Sequence, residues 1–242
     1  MLARLAETRP RRIDLGLTRI LKALERLGNP HERLPPVIHV AGTNGKGSTI
    51  AYMRSILTAA GLKVHVYTSP DLVRFNERIV LAGEQITDQE LARVLGKCEA
   101  AAGDLELTYF EAVTCAAFLA FAETPADILL LEVGLGGRLD ATNVIDQPLA
   151  SVITPVSLDH QDYLGEGLAE IAGEKAGIIK KGRPVIVGPQ RAEAQDVIRN
   201  RALLLGAETW SAGEEWHAFL EQGHFIYQDE TSLSDLSAPR LF

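Results

Sequence analysis

The stretch VIHVAGTNGKGSTIAYM, residues 37–53, joins an apolar run to a loop nearly bare of side chains and then to a helical pattern. Val37, Ile38 and Val40 are β-formers, and Ile50, Met53, Ile56 and Leu57 recur at helical spacing. Between them lie Thr43, Asn44, Gly45, Lys46, Gly47, Ser48 and Thr49. The unit reads as strand, glycine loop, helix. Such a loop presents backbone N–H groups and the positive end of the helix dipole to an anion, and a lysine at its end reaches β- and γ-phosphates. It is therefore read as a nucleotide phosphate cradle. It departs from G-x-x-x-x-G-K-[ST], because Val40 stands at the first glycine and Gly47 separates Lys46 from Ser48.

Outward from this unit, apolar runs alternate with helix-like stretches, the order expected of βαβ units on a parallel sheet. Strands are expected at 37–40, 64–67, 128–133, 151–154 and 184–187. Helices are expected at about 13–27, 48–60, 88–102, 110–123, 168–179 and 192–205. RIVLAGEQIT (78–87), with a glycine between alternating residues, reads as an inserted hairpin. From Trp210 the chain becomes rich in Gly, Ser and acidic residues around short β-like patches such as 224–227. It stops at SAPRLF with neither a closing helix nor a polar tail, the pattern of an incomplete chain. The expected fold is α/β: a P-loop-type, mostly parallel sheet flanked by helices, with a short β-rich tail.

The 242 residues, 46% hydrophobic and 23% charged, suffice for one domain or a domain with an appendage. A net charge of −8 argues against a general nucleic-acid binder, so an anionic ligand must be held locally. Cys98 and Cys115 fall within expected helices, which suits buried thiols in a reducing compartment rather than a disulfide framework. The start, with Arg4, Arg9, Arg11 and Arg12, lacks the apolar core of a signal peptide, and acidic Glu7 and Asp14 disfavour a transit peptide. No apolar run approaches the roughly 18 residues a membrane helix requires. No membrane association and a cytoplasmic address are expected.

Two other strand ends carry chemistry. In DILLLEVG (127–134) an apolar strand delivers Glu132 to the carboxyl edge of the sheet, where ligands gather in open α/β folds. A carboxylate beside a phosphate loop suits Mg²⁺, which takes few protein oxygens and fills its shell with water and phosphate. A strand-end Glu paired with a surface Arg is the plainer alternative. The GLGGR that follows misses G-x-G-x-x-G, since Leu139 stands at the last glycine, so a dinucleotide fold is disfavoured. In SVITPVSLDHQDYLG (151–165) a further strand ends in Asp159-His160. His160 is the functional candidate among the six histidines; His31, His39, His65, His217 and His224 are read as structural.

HVAGTNGKGST (39–49), YTSPDLVRFNERI (67–79), LEVGLGGRLDATN (131–143), SLDHQDYLG (157–165) and EKAGIIKKG (174–182), in this order and spacing, resemble the folate branch of the Mur ligase superfamily, the dihydrofolate and folylpolyglutamate synthases. The resemblance runs from about residue 15 to 190 and rests on the joint occurrence of five motifs. It implies ATP-dependent addition of L-glutamate to dihydropteroate, to reduced folates, or to both, through an acyl phosphate, with two Mg²⁺ ions. It further implies that Lys46 holds the phosphates and that Ser48, Ser69 and Glu132 surround the first ion. His160 would ligate the second ion, joined by Lys175 as a carbamate formed with CO₂. The plain alternative for Lys175 is a surface residue paired with Glu174. Asp140 would contact the pterin through paired hydrogen bonds, and Phe110 would line that pocket.

One departure is Asp71, where the family has His after Thr-Ser-Pro. The resemblance divides the chain into a helical lead-in (1–35) and a central ATP-binding domain (36–242), with the C-terminal domain of the family absent. A monomer, weak or inactive on its own, is the expectation. The competing readings are another Mur-type ligase acting on a peptidoglycan precursor and a non-catalytic nucleotide-binding module.

Overall fold

The computed structural model describes residues 13–237, so the N-terminal arginines, Glu7 and the final five residues lie outside it. Eight strands form one sheet in the order β4-β3-β2-β5-β1-β6-β7-β8. They are β1 (Val37–Ala41), β2 (Val64–Tyr67), β3 (Ile79–Leu81), β4 (Glu84–Gln85), β5 (Ile128–Glu132), β6 (Ala150–Ile153), β7 (Val185–Val187) and β8 (Thr209–Ser211). Pairing is parallel from β2 to β8, and the hairpin β3–β4 is added antiparallel at one edge. The central strands are short apolar runs because both faces are covered, as parallel sheets require. Every residue of β5 is buried, Glu132 included.

The helices are α1 (Thr18–Arg26), α2 (Lys46–Ala59), α3 (Asp88–Ala102), α4 (Tyr109–Glu123), α5 (Gln161–Leu164), α6 (Leu168–Ala176) and α7 (Ala192–Leu205). Alternation along the strands sends Leu129 and Leu131 of β5 to one face of the sheet and Ile128 and Leu130 to the other. The first face carries α1, α3 and α4 in one cluster and α6 and α7 in a second, over β6 and β7. The other face packs against α2 through Ile50, Met53 and Leu57. α4 is nearly all apolar, and Thr108 with Glu111 closes a capping box at its start. Both cysteines are buried in α3 and α4. Among the described residues no helix is long and apolar enough to cross a membrane.

Boundaries and elements differ from expectation in places: α2 begins at Lys46 rather than 48, and α5 and β8 are additional elements. α1 begins at Thr18, not at 13, and its Ile20, Ala23 and Leu24 are buried in the first cluster. α6 ends at Ala176, and beyond it the N–H groups of Gly177, Ile178 and Ile179 bond three residues back, to Glu174, Lys175 and Ala176, tightening the chain out of the α-helix. The tail is more regular than its composition suggests: β9 (Trp216–Glu221), β10 (His224–Asp229) and β11 (Leu233–Ser237) form a separate antiparallel sheet. Phe219, Leu220, Leu233 and Leu236 of that sheet stand exposed.

Candidate active site at the carboxyl edge of the sheet

The carboxyl ends of β1, β5 and β6 converge on the glycine loop. Gly42 leaves β1 at φ 150°, and a Cβ there would overlap the Thr154 hydroxyl, so the position admits only glycine. Thr43 and Asn44 donate their N–H groups to Pro155 O at 3.1 and 3.2 Å. The Thr43 hydroxyl donates to Ser157 O at 3.1 Å. The loop is thereby laced to the segment that leaves β6. Gln190 fastens the far side of that segment, accepting from Val156 N–H and donating to Thr154 O, each at 3.0 Å. Gly45 then caps α2 in the left-handed region at φ 82°, and Lys46 is the first helical residue, with Ser48 exposed behind it.

Two lysines meet at one backbone oxygen. Lys46 Nζ lies 3.2 Å and Lys175 Nζ 3.1 Å from Gly42 O. Lys46 also lies 3.9 Å from Glu132 Oε1. Glu132 accepts the Ser69 N–H at 3.1 Å, which brings the Thr-Ser-Pro loop to the same place. Burial raises the Glu132 pKa, opposed by the Ser69 N–H and by Lys46. With two contacts on its two oxygens, this carboxylate keeps acceptor positions for a ligand. Ser48, Ser69 and Glu132 would offer only oxygen donors, the chemistry that suits a hard cation beside a phosphate loop. Among the described residues no three His, Cys, Asp or Glu side chains cluster as a ready-made metal site.

Lys175 is not the surface residue that its helical neighbours would allow. It is 4% exposed, and Glu174 pairs instead with Arg138 at 2.7 Å. The GLGGR loop creates this burial. Arg138 N–H donates to Glu174 O at 2.7 Å, and Gly137 and Gly177 have no room for a Cβ where the loop meets the end of α6. Burial, and then the charge of Lys46, lower the Lys175 pKa from 10.5 to about 8. At neutral pH it therefore holds a far larger fraction of free amine than a surface lysine does.

A cleft of about 740 Å³ opens beside this cluster, lined among others by Ser69, Asp71, Arg78, Phe110, Asp140 and His160. Phe110 packs against Gly134, where a Cβ would overlap its ring. His160 sits at the rim in the left-handed region, φ 49°, as the N-cap of α5 and about half exposed. Asp71 is tied to Arg78 at 2.6 Å, which holds its carboxyl below the usual range and absorbs its charge. Asp140 is buried, which raises its pKa, but its own loop surrounds it with donors. Leu135 N–H, Thr142 N–H and the Thr142 hydroxyl bond it at 2.8, 2.9 and 2.6 Å. The Gly134 N–H adds a weaker contact, so of about four acceptor positions on a carboxylate there is room for at most one further strong bond and not the expected pair.

The structure thus brings Lys46, Ser69, Glu132 and Lys175 to one edge and puts Phe110, Asp140 and His160 around the adjoining cleft. Of the other histidines, His39 and His65 are buried and hydrogen-bonded in the sheet, as a structural reading requires. Sequence reasoning passed over Gln190 as a contact, and it missed the half-buried Arg19–Glu111 pair at 3.1 Å, whose Glu111 lines the cleft. The only signals were a Gln just after a strand and a Glu three residues beyond a Thr cap.

The sheet order, the glycine loop and the strand-end carboxylate define a P-loop-type α/β domain. A family model described as the Mur ligase middle domain matches residues 40–239, and the chain belongs to that family, in its folate branch. It is 42% identical over 228 residues to the dihydrofolate synthase/folylpolyglutamate synthase of Escherichia coli (strain K12), a match covering 94% of this chain and 53% of the relative. The solved E. coli FolC in complex with DHPP and ADP superposes with a TM-score of 0.92 at 40% identity, covering 98% of this chain and 57% of that one. A bifunctional folylpolyglutamate synthase/dihydrofolate synthase with Mn, AMPPNP and L-glutamate bound gives 0.86 at 38% identity, covering 96% of this chain and 56% of that one. The chain spans about half the length of the curated relatives it matches.

Proposed function

We propose that this chain is the ATP-binding part of a ligase that joins L-glutamate to dihydropteroate, to reduced folates, or to both. The observation that carries the reading is the convergence of Lys46, Lys175 and Glu132 on the phosphate loop beside the cleft. The names of the relatives and the ligands of the solved neighbours support it. The division into a lead-in (1–35) and a central domain (36–242) that needs further contacts for full turnover belongs to the same proposal, as does a cytoplasmic monomer.

In this reading the loop of Thr43, Asn44, Gly45, Lys46, Gly47, Ser48 and Thr49 holds ATP. The substrate carboxylate attacks the γ-phosphorus, ADP leaves, and the glutamate amine then displaces phosphate from the acyl carbon. Two anions must approach each other, so catalysis lies in neutralising and positioning charge. Lys46 supplies one fixed positive charge at the phosphates. Ser48, Ser69 and Glu132 would hold one Mg²⁺, and His160 with Lys175 a second; the ions, when bound, supply the remaining positive charge.

Lys175 can serve a cation only as an anion. Its lowered pKa suits attack of the free amine on CO₂, which forms the N–C bond of a carbamate and releases a proton. Asp140 and Phe110 would hold the pterin in the cleft, hydrogen-bonding its edge and packing on its ring.

The test is equilibrium binding of 7,8-dihydropteroate with Mg²⁺-ATP and bicarbonate, for the chain and for Asp140→Asn and Lys46→Met. Saturable pterin binding lost in the first variant, and ATP binding weakened about a hundredfold in the second, are expected from loss of charge-assisted hydrogen bonds. ATP binding indifferent to Lys46, or pterin binding indifferent to Asp140, would overturn the assignment.

A further inference from the structure

The middle of the sheet holds an imidazole where an aliphatic side chain would be ordinary. His39 in β1 is completely buried, between Leu131 of β5 and Ser151 of β6 in register. Its Nε2 lies 2.9 Å from Thr142 Oγ1, while its Nδ1 is buried with no partner. An orphaned interior polar atom costs about 1–3 kcal/mol, a cost that valine would avoid.

The bonding around Thr142 fixes the direction of each proton. Burial favours the neutral form of Asp140, yet both of its oxygens act as acceptors of backbone N–H groups, Oδ2 from Leu135 and Oδ1 from Thr142. Oδ1, already accepting the Thr142 N–H, also accepts the single proton of the Thr142 hydroxyl at 2.6 Å. The same hydroxyl must then accept from His39, whose ring is held in the Nε2–H tautomer. Burial keeps that ring neutral, its pKa pushed down to about 3. The atom left without a partner is a lone pair rather than an N–H, the less costly of the two.

We propose that His39 is a positioning residue for Asp140: through Thr142 it orients the cleft carboxylate so that its remaining acceptor position is presented to a pterin N–H. The proposal rests on the reading of Asp140 as the pterin contact. A leucine at position 39 leaves the Thr142 hydroxyl free to rotate away, and Asp140 then loses its shortest bond. A glutamine restores a side-chain N–H at nearly the place of Nε2.

The experiment compares the chain with His39→Leu, His39→Gln, Thr142→Val and Asp140→Asn in binding 7,8-dihydropteroate and Mg²⁺-ATP, and records the ¹⁵N shifts of the His39 ring. The expected result is an Nε2–H tautomer and dihydropteroate binding about tenfold weaker in His39→Leu and Thr142→Val. Within the same series, His39→Gln should return to within about threefold of wild type, with ATP affinity unchanged throughout. An Nδ1–H tautomer, or His39→Leu and Thr142→Val binding as wild type while Asp140→Asn does not, overturns the proposal and leaves Asp140 as the pterin contact. Asp140→Asn binding as wild type overturns the pterin reading itself and, with it, the role given to His39. Thr142→Val tests the relay without altering the sheet, should His39→Leu fail to fold.

Discussion

Glu132 and Asp140 are buried carboxylates eight residues apart, and their surroundings differ in kind. Glu132 ends a strand, meets one backbone N–H and faces Lys46 at 3.9 Å. Asp140 lies in a loop that bonds it at 2.8, 2.9 and 2.6 Å from its own residues. Burial raises the pKa of both. What separates them is where their acceptor positions go: Asp140 is spent mostly on shaping its loop, whereas Glu132 is left open toward whatever enters. A buried charge whose bonds close within a few residues serves the fold first, and one that faces a lysine and a phosphate loop serves a ligand first.

The largest expected effect tests the first half of that contrast. Asp140→Ala strands two backbone N–H groups and a hydroxyl, and urea unfolding should show a loss of about 3 kcal/mol. A loss under 1 kcal/mol would place the loop's stability elsewhere.

Lys175 gives the next largest effect, as a dependence on pH. The amine titrates at about 8 in the fold and near 10.5 unfolded, so the unfolded chain binds the extra proton between those values. Stability must then rise with pH across that window, by about 3 kcal/mol in total, with no contribution from Lys175 to the slope below it. Lys175→Met should lack this rise. An equal rise in both forms would show that another group carries it. The smallest effect belongs to Glu132→Gln, which should shift apo stability by no more than about 1 kcal/mol, because the Ser69 contact survives. Its Mg²⁺-ATP affinity should nevertheless fall about tenfold, and retention of both would remove Glu132 from the ligand side of the contrast.

The sheet was legible because its strands are continuous apolar runs: ILLLE at 128–132 and VHVY at 64–67 admit little else between turn residues. The glycine loop was legible because Gly42, Gly45 and Lys46 sit at a strand-to-helix junction, where backbone and dipole alone imply an anion. Lys175 as a buried amine could not be read locally. Its burial is made by Gly137 and Gly177, residues from separate motifs that the fold presses together. Its role entered through the resemblance, not through spacing. The same limit hid the His39–Thr142–Asp140 chain, whose members meet across a separation of 103 residues. The tail was legible as β-rich, but its three separate strands were not, for a different reason. Its outer strands stay largely exposed, so the period that marks a buried sheet face is faint.

The Gly42 carbonyl receives two ammonium groups that repel each other. An anion that draws Lys46 forward leaves that oxygen to Lys175 and reduces the repulsion that lowers its pKa. Neutralising Lys175, in turn, makes Lys46 easier to hold in place. Such coupling is reciprocal, since each event must change the free energy of the other by the same amount. One backbone oxygen, at a position only glycine can occupy, thus makes the charge state of α6 and the occupancy of the phosphate loop report on each other.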